Sequence, residues 1–138
     1  MKRLKHIWVL MLTAMAISVS AQSYVEIGTG TVSTSYPTYS VWNYGWFSMI
    51  QPQSAVGTAK TITKIALNCI NGPKTNANQK IYLKHTSSAI FGDANYENPG
   101  SNGYTLVYDG PITFNGWTEI TLSTPFAYNG TDNQIGRA

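Results

Sequence analysis

The sequence predicts an all-β chain, an antiparallel β-sandwich of two sheets with jelly-roll-like connections. Three observations carry this prediction. Runs rich in β-branched and aromatic residues recur about every ten residues, punctuated by Gly, Pro and Asn. Within these runs apolar residues alternate with polar ones, the period-two pattern of a half-buried strand. Segments of helical periodicity are nearly absent beyond the N-terminus. An immunoglobulin- or fibronectin-like sandwich is the alternative, weakened because the Cys…Trp…Cys spacing of immunoglobulin domains is missing.

The first 21 residues read as a secretory signal peptide. A basic patch (Lys2, Arg3, Lys5) precedes an apolar stretch from residue 7 to 17, and Val19-Ser20-Ala21 supplies a small-residue cleavage site. The apolar stretch is too short to span a bilayer, so an exported chain with no membrane insertion is expected. Residues 22–138 then form a single domain. Its six basic residues (Lys60, Lys64, Lys74, Lys80, Lys84, Arg137) face six acids (Glu26, Asp93, Glu97, Asp109, Glu119, Asp132), so it is formally neutral. The basic balance of the whole chain belongs to the leader, and nucleic acid loses its electrostatic warrant as a partner. Cys69 is the sole cysteine and has no intramolecular partner, so packing rather than cross-linking must hold the domain together.

Strands are expected at residues 24–27, 38–47, 62–70, 80–86, 104–108, 112–114 and 117–122. Ile65, Leu67 and Cys69 fall on one face, with Lys64 and Asn68 on the other. Ile81 and Leu83 point inward between Lys80, Tyr82 and Lys84. Ile120 and Leu122 oppose Glu119 and Thr121. Asn115-Gly116 reads as a tight hairpin turn, because these residues best tolerate positive φ. Asp109-Gly110-Pro111 and Asn129-Gly130 read as further reversals, and the Asn129-Gly130-Thr131 sequon is treated as a turn. Residues 87–103 form a polar surface loop.

Two blocks, "IYLKHTSSAIF" and "LVYDGPITFNGWTEITLSTPFAYNGTDN", together with the opening "IGTGTVSTSYPTYSVWNYGWFSMI", resemble a β-sandwich module of secreted Bacteroidetes surface proteins. Such proteins are type IX secretion-associated and often carry the module ahead of fibronectin type III repeats. The resemblance implies a non-catalytic, adhesin-like part of a larger cell-surface protein. Two departures stand out. Ile50-Gln51-Pro52 replaces an Ile-Tyr pair, and a Leu-Val-Ile-Ala-Val type of strand is expected after the Thr131-Asp132-Asn133 turn, where this chain has Gln134-Ile135-Gly136-Arg137-Ala138. The reading is therefore a sandwich whose last strand is missing, a C-terminally incomplete fragment. Losing a central strand forgoes burial of about three or four apolar side chains at roughly 1.5–3 kcal/mol each. An edge able to accept a strand from another chain or module is expected in its place.

Catalytic constellations are scarce. After the leader one histidine remains, His85, with no nucleophile-elbow motif nearby, and the six acids show no spacing that selects a general acid and its partner. Cys69 alternates with Ile65 and Leu67 as a small buried hydrophobe does. Asp93, Asn95 and Glu97 alternate in a loop and offer oxygen ligands for a structural calcium, although the pattern departs from an EF-hand. No other cofactor is expected. The densest chemical signal is "YPTYSVWNYGWF", in which Trp42, Tyr44 and Trp46 share one strand face, an aromatic platform for a glycan or protein ligand. The expected function is a secreted binding, adhesion or spacer module. The alternative is an accessory domain of a secreted hydrolase or protease.

Overall fold

The computed structural model describes residues 23–28, 30, 45–92 and 96–138. The signal-peptide reading and the sites proposed at Trp42, Tyr44, Asp93 and Asn95 lie outside these residues. The described chain is mostly β. It contains β1 (Ser48–Gln51), the single helical turn α1 (Gln53–Val56), β2 (Lys60–Thr86), β3 (Thr105–Tyr128) and β4 (Asn133–Arg137). The four strands form an antiparallel sheet in the order β1-β4-β2-β3.

β2 and β3 build one long two-stranded ribbon that absorbs the breaks expected from the sequence. Residues 62–70 and 80–86 belong to the same strand, and so do 104–108, 112–114 and 117–122 apart from Tyr104. The turn-like dipeptides survive as bulges. Between Cys69↔Gly116 and Lys74↔Phe114 the four residues 70–73 oppose Asn115 alone. Gly116 has the positive φ of 60° expected of it, but within a strand rather than at a hairpin tip. Gly72 crosses so close to the partner that a Cβ there would sit 2.7 Å from the Phe114 carbonyl oxygen. A bulge adds residues to one strand while pairing resumes beyond it, which bends and twists the ribbon.

Alternation sets the core. Ile112, Phe114, Ile120, Leu122, Phe126 and Tyr128 on β3 are buried, while Thr113, Trp117, Glu119, Thr121 and Ala127 are exposed. Ile81 and Leu83 of β2 and Val107 of β3 join them. Ile65, Leu67 and Cys69 pack against this cluster as half-buried neighbours, on the face their spacing predicts. Val107 and Ile112 are both inward, although five positions apart, because the register slips twice along that stretch.

Residues 24–27 are not a strand, and Tyr24 is 74% exposed. The larger correction concerns residues 133–137. The expectation that no strand follows the Thr131-Asp132-Asn133 turn is overturned, since β4 pairs with β1 on one side and β2 on the other. Ile50 and Gln51, just before Pro52, pair with Ile135 and Gln134. The ladder continues into Phe47 and Ala138, which exchange backbone hydrogen bonds of 2.8 and 2.9 Å. β4 thus lies inside the sheet, and β1 and β3 form its two edges.

The turn that delivers β4 is tightly specified. Asn129 Oδ1 accepts from the amides of Thr131 and Asp132 at 3.0 and 3.1 Å. Gly130 adopts φ of 76° and passes so near Ala59 that a Cβ would lie 2.2 Å from its nitrogen. Asn133 then bridges two segments. Its Oδ1 accepts from the Gln53 amide at the start of α1, and its Nδ2 donates to the Ser88 carbonyl.

Candidate binding groove

Because β4 is central, its two faces have different surroundings. Gly136 faces Leu83 and Met49 and so lies on the core side, where His85 also packs against Phe126 and Tyr128. Ile135 and Arg137 lie on the other face, next to Ile50 and Ser48 of β1 and to Lys84 and Tyr82 of β2. Described residues between β2 and β3, among them Ser88, Phe91 and Tyr96, border this face without filling it. An open groove of about 770 Å³ remains, floored by Ser48, Ile50, Lys84, Ile135 and Arg137 and rimmed by Trp46, Ile90, Phe91 and Tyr96. A smaller groove adjoins it on the far side of Trp46, Tyr96 and Arg137, where Gln79, Tyr82 and Pro99 contribute.

Arg137 is the centre of the wall between the two. Its guanidinium carbon lies 4.7 Å from the Trp46 ring centroid and 4.5 Å from that of Tyr96. The two rings meet edge to face at 5.7 Å. Aromatic faces carry negative quadrupole charge, so this arrangement substitutes for part of the water that a buried guanidinium gives up. Arg137 is only 4% exposed, whereas Trp46 and Tyr96 are 45% and 61% exposed. Nη1 donates to the Glu97 carbonyl. Nη2 is buried and has no hydrogen-bond partner among the described residues.

Beside it sits a second polar group. Lys84 Nζ donates to Glu97 Oε1 at 2.7 Å and lies 4.3 Å from the Tyr104 ring centroid. The Tyr104 hydroxyl donates to Glu97 Oε2 at 2.9 Å. The Lys84 hydrogen bond holds the Glu97 carboxyl below the usual carboxylate range, with Tyr104 adding to the effect. Burial, and then the hydrogen bond to Glu97, push the Tyr104 hydroxyl up to about 12.

Of the residues singled out by sequence, Trp46 and Glu97 are described, and the structure brings both to this groove. Trp46 precedes β1 rather than lying inside a strand. Both Glu97 oxygens are engaged by Lys84 and Tyr104, so calcium would have to displace Lys84. Among the described residues no three His, Cys, Asp or Glu side chains gather to hold a metal ion. His85 has a packing place, its Nε2 accepting from the Asn129 amide at 3.1 Å.

Comparison of the chain with family models, with curated proteins and with solved structures returns no match.

Arg137, Tyr96 and Tyr104 were not anticipated as site residues. One signal for Arg137 was present, since it is the only arginine beyond the leader in a chain whose other cations there are lysines. Arginine is the cation suited to stacking and to burial. Nothing in the local pattern indicated that Tyr96 would face Trp46 across some 50 residues of chain.

Proposed function

We propose that the chain is a non-catalytic binding module of an exported protein, and that it holds a saccharide in the groove over β1, β4 and β2. The observation that carries this reading is the half-exposed pair Trp46 and Tyr96 clamped on Arg137 at the groove wall. Exposed aromatic rings beside hydroxyl and amide side chains are the means by which such modules grip sugar rings. Here Ser48, Thr86, Asn98 and Asn102 supply the polar partners. Adhesion to a glycan-bearing surface is the corresponding role. It agrees with the leader-like N-terminus and with the resemblance to modules of secreted surface proteins.

The test is an oligosaccharide array probed with the full chain and with Trp46→Ala. Retention of specific sugars by the parent but not by the folded variant supports the reading. An array on which the parent retains none contradicts it and leaves a spacer role.

A further inference from the structure

We infer that the groove selects saccharides bearing a carboxylate, and that Arg137 is the residue that receives it. The inference rests on the saccharide-binding reading above and adds the charge of the ligand.

Three observations carry it. First, Arg137 is buried to more than nine-tenths, yet its Nη2 makes no hydrogen bond among the described residues, although the Tyr104 hydroxyl lies near the guanidinium. A buried, uncompensated donor on a cation is costly and calls for a partner. Second, the described side chains lining the groove carry a net positive charge. Lys84 and Arg137 bring two positive charges, and Glu97 brings one negative charge that Lys84 already engages. Lys80, in the adjoining groove, is neutralised by Asp109. Third, the donor is a planar guanidinium whose carbon lies 4.7 and 4.5 Å from two aromatic ring centroids, and its fork geometry suits a carboxylate better than a lone hydroxyl.

Access to Nη2 requires the covering rings to shift. Trp46 lies before β1 and is 45% exposed, and Tyr96 is 61% exposed, so neither ring belongs to the buried core. The sugar ring then stacks on the freed aromatic face while its carboxylate reaches the guanidinium. The polar floor residue Ser48 stands directly across the ladder from Arg137 and is placed to take a neighbouring hydroxyl.

The experiment is a calorimetric titration of the full chain with oligoglucuronate, with its methyl ester and with the matched neutral oligoglucoside. The ester keeps the shape and removes the charge, so the comparison needs no protein variant. Oligoglucuronate is expected to bind at least about tenfold more tightly than the other two, the size of a charge-assisted hydrogen bond. That preference should vanish in Arg137→Met, which keeps the side-chain stem, while circular dichroism confirms the fold. Equal binding of the three sugars overturns the carboxylate inference and leaves the saccharide reading standing. Absence of binding to all three, together with an empty array, overturns both. Retention of the preference in folded Arg137→Met, or tighter binding of an acidic peptide than of any sugar, also overturns it.

Discussion

Arg137 stands directly across the ladder from Ser48, and its guanidinium lies 4.7 Å from the ring of Trp46, two residues before Ser48. A cation on the central strand is thereby covered by an aromatic side chain from the segment leading into its neighbour. The same relationship couples stability to recognition, because the ring that shields the cation is also the exposed surface of the groove.

Removing that shield should therefore have two effects. Trp46→Ala is expected to abolish saccharide retention and to lower stability by about 0.5–2 kcal/mol, the range of a partly desolvated cation–π contact. Urea denaturation followed by circular dichroism measures the second effect. Trp46→Phe should recover most of the stability, since a ring face is restored.

The Glu97 group gives the chain an acid-sensitive increment. Its folded value is depressed, so its contribution is fully present above the ordinary carboxylate value of 4.5 and is lost as pH falls through the lower folded value. The Glu97 side chain is 37% exposed, and solvent screening keeps the increment under about 1 kcal/mol. Comparison of the parent with Glu97→Gln should show a stability gap at pH 7 that closes below pH 4.5.

Tyr104 works in the opposite direction. Its folded value is raised from 10.0 to about 12, so its contribution is present below pH 10 and is lost as pH rises toward 12. An ultraviolet titration should show late tyrosinate ionisation that is reduced in Tyr104→Phe, while Tyr128, also raised by burial, still ionises late. A parent whose tyrosines all ionise near pH 10 would contradict the Glu97 hydrogen bond and the burial that raise it.

The turn into β4 predicts the most damaging single change. Gly130→Ala places a methyl group 2.2 Å from the Ala59 nitrogen at φ of 76°, where side chains are already strained. A loss of about 3 kcal/mol or more is expected in chemical denaturation. Asn133→Ala, which leaves the Gln53 amide and the Ser88 carbonyl without their partner, should cost about 1–2 kcal/mol.

Alternation was the legible part of this chain. Where apolar and polar residues alternate, as in residues 80–84 and 119–122, the inward faces read from sequence are the buried ones, and in residues 64–69 the predicted face is half-buried against the core. Strand continuity was illegible for a physical reason. Gly72-Pro73, Gly110-Pro111 and Asn115-Gly116 are turn residues by propensity, but a long twisted ribbon uses the same backbone freedom for bulges. β4 is not legible from apolarity, because a strand paired on both sides gains from its backbone ladder. Its polar members are also accommodated, Arg137 by aromatic rings. For the site, Trp46 and Glu97 could be picked out by residue type. The face that unites them depends on β4 entering between β1 and β2, a long-range pairing that no local pattern encodes.

The placement of β4 underlies both the fold and the groove, and native-state amide hydrogen exchange tests it most directly. Between two partner strands, the amides of residues 134–137 should be protected to the same degree as those of residues 81–84 on β2. Exchange at residues 134–137 as fast as in unstructured chain, with residues 81–84 still protected, would contradict the account.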